Sequence, residues 1–196
     1  MHPKEAKRQR TGTGNLSHLC LKDSEIIVGL DFLNNKHLME LLNDKQYFPV
    51  MMYPGEDAWT AQKEGFKEEI GNRKLLVLIL DATWFCSKKM IEHNDFLLKL
   101  PRVSFYKDYR SIFTFKHEPR PEYISTIESC YYFIKELQEN NIITKDADPE
   151  PLMTIFKEMI KLQLTAENER ILGLRPNLHS YDAKYHKIKE IPDYLK

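Results

Sequence analysis

Asp81 closes the most apolar run of the chain, Lys74-Leu-Leu-Val-Leu-Ile-Leu80, and Ala82, Thr83 and Trp84 follow it directly. A carboxylate in that position is partly withdrawn from water and is a candidate general base. It is equally a candidate cap for the next helix, because Asp and Thr side-chain oxygens accept the first free backbone N–H groups of a helix. Both roles stay open for Asp81, and Thr83 is a second capping candidate. Trp84 offers either a flat face for a base or adenine ring, or a large core side chain. At Pro54-Gly55 the glycine would let the backbone approach a ligand closely, or would simply make a tight turn. Charge is interleaved with rings further along. Lys88, Lys89, Arg102, Lys107, Arg110, Lys116 and Arg120 alternate with Phe105, Tyr106, Tyr109, Phe113 and Phe115. That pattern suits single-stranded or looped RNA, and it also suits an amphipathic strand pair with solvated charges.

Several chemistries lack their signatures. No GxGxxG, Walker loop, GxSxG elbow or HExxH is written in the chain. The seven histidines are scattered without metal-ligand spacing. Cys20, Cys86 and Cys130 form no CxxC pair, so neither a disulfide framework nor a cysteine zinc site is expected.

The elements that must position these residues alternate between strand and helix patterns. Glu25–Leu30 reads as a short buried strand, and Asn34 to Asn43 as a helix with Asn34 or Asn35 as its cap. Phe48 to Tyr53 reads as a strand, Ala58 to Ile70 as a charged helix, and 74–80 as a central parallel strand buried on both faces. A helix after Thr83 is expected to carry Phe85, Met90 and Ile91 on one side. Leu100 to Val103 and Ser111 to Phe115 read as extended segments. Ser125 then caps a helix running to Glu139, with Glu128 at the capping-box position. Pro149 to Glu167 forms a last long helix with Leu152, Ile155, Phe156, Met159, Ile160 and Leu162 on its apolar side. This order predicts an α/β fold with a mainly parallel sheet, flanking helices and C-terminal helices. Ligands in such sheets sit outside the carboxyl ends of the strands, where both turn-like breaks fall.

The chain has 196 residues, 42% of them hydrophobic, 11% aromatic and 30% charged, which excludes wholesale disorder and suggests a single domain over 1–196. Within it, 1–24 is a basic N-terminal segment, 25–140 the α/β core, and 141–196 a helical extension with a polar tail. Lys+Arg and Asp+Glu both number 29, so a uniformly basic nucleic-acid coat is excluded while a local basic patch is not. No apolar run reaches the length of a membrane helix, and the polar N-terminus carries no signal-peptide pattern. The expected setting is soluble and cytoplasmic.

Five sequence blocks fall in a familiar order. They are His2-Pro3-Lys4-Glu5-Ala6-Lys7-Arg8 with Thr11-Gly12-Thr13-Gly14; Tyr53-Pro54-Gly55-Glu56-Asp57-Ala58; Asp81-Ala82-Thr83-Trp84; Leu100-Pro101-Arg102-Val103; and Glu118-Pro119 followed by Ile124-Ser125-Thr126-Ile127-Glu128. In these blocks the chain resembles the DTW-domain family, the tRNA-uridine aminocarboxypropyltransferases, over His2 to Glu128. The resemblance implies a SPOUT-like α/β fold, with a knotted C-terminal half as an open option. It implies S-adenosylmethionine as donor, tRNA as partner, and transfer of the 3-amino-3-carboxypropyl group to N3 of a uridine with release of 5′-methylthioadenosine. Asp81, Thr83 and Trp84 would then be catalytic, with Asp81 removing the N3 proton. Pro54, Gly55, Leu100, Arg102, Val103, Ser125 and Thr126 would hold the donor. Lys7, Arg8, Lys88 and Lys89 would contact RNA. Family members commonly carry a cysteine-rich zinc segment before the His-Pro block. This chain opens at that block, either because this member lacks the module or because the chain is truncated, and no metal is expected in it. A non-catalytic RNA-binding relative and an RNA methyltransferase with the same donor are the competing expectations.

Overall fold

Apolar and aromatic residues bounded by Asp44 and Pro54 on one side, and by Gly71 and Asp81 on the other, make the two longest strands. These are β1 (Tyr47–Met52) and β2 (Lys74–Leu78). The computed structural model describes residues 1–8, 11–113, 123–176 and 188–195, with backbone alone for Arg8 and Trp84. A third strand, β3 (Arg102–Val103), completes an all-parallel sheet in the order β2-β1-β3. Val50 pairs with Val77 on one side of β1, and Met51 with Arg102 on the other.

The central strand is therefore β1, and the 74–80 run, expected in the centre, lies at an edge. Leu75 to Leu80 are half-buried and Lys74 is exposed. An apolar run records that helices and loops cover both faces of a strand, but says nothing of how many strands pair with it. Pro49 inside the central strand is tolerated for a positional reason. Met51 N donates to Pro101 O at 2.8 Å and Tyr53 N to Val103 O at 3.1 Å, so the N–H groups of alternate residues face β3. Pro49 shares that side two residues before β3 begins, where its missing donor breaks no ladder bond.

The helices are α1 (Pro3–Arg8), α2 (Thr13–Cys20), α3 (Lys36–Asn43), α4 (Phe66–Ile70), α5 (Trp84–His93), α6 (Thr126–Glu139) and α7 (Glu150–Ile171), with 3-10 turns at Asp95–Lys99 and Asp193–Leu195. Asn35 caps α3 as expected, its side chain accepting from Leu38 N at 2.9 Å. Phe48, Val50 and Val103 pack with Phe66, Ile70, Phe133 and Leu137, which seats α4 and α6 against the sheet. Leu16, Ile127, Phe156, Ile160 and Leu164 form a second core where α2, α6 and α7 meet.

Several expected elements take other forms. Residues 25–30 pair with no strand among the described residues, and Val28 and Leu30 are exposed. Their backbone is taken instead by Met1, whose N donates to Ile27 O while its carbonyl accepts from Gly29 N. The helix expected over 58–70 shrinks to 66–70. Trp59 N donates to Arg102 O and Trp59 O accepts from Ser104 N, both at 2.8 Å, so the segment before Gly65 is held as an added bridge to β3. Residues 111–113 are not a strand, and 114–115 lie outside the described residues, as does Glu118-Pro119. On α7 it is Leu164 that is buried, whereas Leu162 is 68% exposed.

Two buried glutamates of α6 fasten the chain that follows β3. Glu128 accepts from Ser111 Oγ and from the N–H groups of Ile112 and Ser125 at 2.7–2.9 Å, which confirms the capping box and extends it to a distant loop. Glu136 accepts from the N–H groups of Tyr106 and Lys107 at 3.4 and 3.2 Å. Burial raises the Glu136 carboxyl above the usual carboxylate range, and these N–H donors pull it partway back. Residues 104–113 are thereby set on one side of the sheet's carboxyl end.

Candidate active site

In the order β2-β1-β3 the chain leaves β1 towards one neighbour and later returns to its other side, so the crevice between β1 and β3 is a topological switch point. A cavity of about 660 Å³ opens there, a size that accommodates a nucleoside-sized ligand. Its walls come from the carboxyl ends of all three strands: Met52, Tyr53 and Pro54 after β1, Ile79 to Thr83 after β2, and Val103 to Phe105 after β3. Phe85 and Ser87 of α5, Lys107 to Tyr109, and Tyr123 to Thr126 with Ser129 complete them, and Glu5 and Thr13 arrive from the N-terminal helices.

Asp81 is not the helix cap. Thr83 takes that role, its Oγ1 accepting from Cys86 N at 3.3 Å, and this leaves the Asp81 carboxylate for the cavity. Thr126 Oγ1, in the first turn of α6, donates to Asp81 Oδ1 at 2.8 Å and ties the end of β2 to that helix. Asp81 Oδ2 accepts from no donor among the described residues. The Asp81 carbonyl accepts from His2 N at 3.0 Å, which docks α1 beside the same strand end. Gly14 of α2 lies so close that a Cβ there would stand 2.4 Å from Asp81 Cγ. Glycine is required here by proximity rather than by backbone angle.

Of the residues expected at the site, Asp81, Thr83, Pro54, Val103, Ser125 and Thr126 line one cavity. Gly55, Leu100 and Arg102 do not. The Arg102 guanidinium is paired with Asp57 and lies against Gly55, so it braces the 54–57 turn rather than facing a ligand. Leu100 ends the 3-10 turn that leads into β3. Lys7, Lys88 and Lys89 are exposed outside the cavity wall. The side chains of Arg8 and Trp84 lie outside the described residues, although their backbones belong to α1 and α5.

Sequence reasoning missed Glu5, Thr13, Tyr53, Ser104 and Phe85 as wall residues, and set Tyr109 near the site only as a ring for RNA. Glu5 and Thr13 stand in the opening block, whose spacing carries no strand-end signal, and only the docking of α1 and α2 brings them in. Tyr109 belongs to the ring-and-charge stretch. Its ring stacks on Tyr132 at 3.9 Å, and burial beside Glu136 pushes its phenol well above the ordinary range, so it stays a neutral donor. Among the charged wall residues, Lys107 is bound to Glu139 and Asp108 to Arg110. Glu5 has no partner among the described residues. Asp81 and Glu5 thus leave the cavity net acidic, which suits a cationic occupant. No group of three His, Cys, Asp or Glu side chains that could hold a metal occurs among the described residues. None of the described helices is long and apolar enough to cross a membrane.

The sequence model of the DTW domain matches residues 1–164. No curated protein and no solved structure matches the chain.

Proposed function

The chain belongs to the DTW-domain family, and from that premise we propose that it transfers the 3-amino-3-carboxypropyl group of S-adenosylmethionine to N3 of a uridine in tRNA. Family membership is consistent with a tRNA-modifying transferase. The observation that carries the finer reading is Asp81, released from capping by Thr83 and aimed by Thr126 at a cavity on the strand ends.

The cavity fits such a donor on three counts. Its volume is sufficient, Ile79, Leu80, Val103 and Phe105 provide apolar wall, and the unpaired Glu5 carboxylate complements a cation. Ser125 and the Thr126 hydroxyl already donate to Glu128 and Asp81, so the backbone N–H of Thr126, at the N-terminal end of the 14-residue α6, would hold an amino-acid carboxylate, and Glu5 an ammonium. When bound, the donor would supply an activated carbon beside a good leaving group, so no metal is called for. Asp81 Oδ2 would accept the uridine N3 proton and free the nitrogen lone pair for the new N–C bond. Thr126 fixes the carboxylate, which turns a choice between reactive carbons into a matter of position. The parallel order β2-β1-β3, with the site on its carboxyl ends, supports a SPOUT-like core.

The test is incubation with S-adenosylmethionine and unmodified tRNA transcripts, followed by mass spectrometry of nucleosides and small products. Aminocarboxypropyl-uridine with 5′-methylthioadenosine is expected. Asp81→Asn should lower turnover by about 10²–10⁴-fold while donor affinity stays within about tenfold. A methylated nucleoside with S-adenosylhomocysteine would refute the assigned carbon, and donor or tRNA binding without any product would favour a non-catalytic relative.

A further inference from the structure

Phe85, grouped by the sequence with Met90 and Ile91 on one side of its helix, is 69% exposed and at the same time lines the cavity that holds Asp81, so its ring sits at the cavity mouth. It is the second residue of α5, four positions after Asp81, and the Thr83 cap fixes where that first turn points. One turn on, the Lys89 ammonium stands over the ring, 4.7 Å from its centroid. Lys88 beside it is also exposed, and neither lysine joins an ion pair among the described residues. A single exposed phenylalanine is ordinary. An exposed ring at the mouth of a polar site, with two unpaired cations on the same helix, has the chemistry of a nucleic-acid contact: rings take bases of any identity, and lysines take the phosphates between them.

We infer that Phe85 and Lys89 form a stacking platform for the nucleobase next to the one that enters the cavity, with Lys88 and Lys89 on the neighbouring phosphates. The inference rests on the reading of the cavity as the site of a tRNA base, and it adds how the substrate is presented. A base stacked on Phe85 must be unpaired on that face, so the platform selects a loop or a splayed single strand over a duplex. Phe85 is then a positioning residue: it touches the flanking nucleotide and sets how the target base is delivered to Asp81.

The test is binding of a fluorescent unmodified tRNA transcript to the full chain, measured by anisotropy over a range of salt, for wild type, F85A, F85W and the K88A/K89A double variant. A stacking contact predicts that F85A weakens binding by about 5- to 100-fold with an unchanged salt slope, and that F85W restores it. The double variant should flatten the slope by about 1.4, the value for two single-strand phosphates. Because Phe85 is exposed, the F85A melting temperature should stay within about 2 °C of wild type, which separates contact from fold. F85A binding within twofold of wild type overturns the inference, and so does a wild-type chain that fails to bind tRNA. Product analysis of the same variants keeps the two proposals apart. Lost affinity in F85A without aminocarboxypropyl-uridine from wild type would sustain the platform and sink the reaction, whereas product formed by F85A at the wild-type KM for tRNA would do the reverse.

Discussion

Gly14→Ala isolates the contact between the N-terminal helices and Asp81. In an ordinary helix interior this change stabilises by up to ~1 kcal/mol, because alanine loses less backbone freedom than glycine. Here the new Cβ would stand 2.4 Å from Asp81 Cγ, 2.5 Å from Oδ2 and 2.7 Å from Oδ1. That is about 1 Å inside the optimum for non-bonded contact, so something must move. The short Asp81 side chain can give way only by leaving Thr126, which forfeits a hydrogen bond to a charged group worth about 1.5–3 kcal/mol. We expect Gly14→Ala to destabilise the chain by about 1–3 kcal/mol, or roughly 3–10 °C in melting temperature at this size. In an Asp81→Ala background the obstruction is gone, and the same change should be neutral or stabilising by up to ~1 kcal/mol. The four proteins form a double-mutant cycle, read by urea denaturation, with an interaction energy of about 1–4 kcal/mol. Equal effects of Gly14→Ala in both backgrounds, within about 0.5 kcal/mol, would refute the claimed contact.

Other outcomes follow from the same contacts. Thr83→Ala should cost about 1 kcal/mol through the lost α5 cap, measured by thermal melting, while Asp81→Asn should show no capping loss. Glu128→Gln should cost about 2–4 kcal/mol in urea titrations, because it places an amide N–H₂ where a buried carboxylate accepts from Ser111, Ile112 and Ser125. Burial raises the Cys130 thiol from 9.0 to about 11. Its thiolate at pH 8 should therefore be about a hundredfold scarcer than that of an unperturbed thiol, and alkylation correspondingly slow until urea opens the core, as mass labelling would show. The sign follows from the shift: labelling of the folded chain should rise about tenfold per pH unit and level off only near pH 11, about two units above an unperturbed thiol.

Local chemistry was legible in the sequence wherever it was written within a few residues. The Asn35 cap, the Ser125–Glu128 box, the strand Tyr47–Met52 and the placement of Asp81 at a strand end all follow from nearest neighbours along the chain. The ordered blocks also announced the family, and five of them reach one part of the fold through Asp81, Pro54, Val103, Ser125 and Thr13. What the sequence could not supply was partnership across long separations. Whether Asp81 or Thr83 caps α5 depends on Thr126 being near enough, 45 residues away, to take up the carboxylate. Whether Lys74–Leu78 is central or an edge depends on which segments pair, since an apolar run records cover on its faces and not neighbours at its sides. Arg102 looked free to meet an anion until Asp57 was placed beside it. Phe85 was grouped on one side of its helix with Met90 and Ile91, but the fold buries those two and leaves Phe85 exposed. Propensity and capping act over one turn of helix, but a cavity exists only where separate strands end together, so its walls, charge and mouth were decided by the tertiary structure alone.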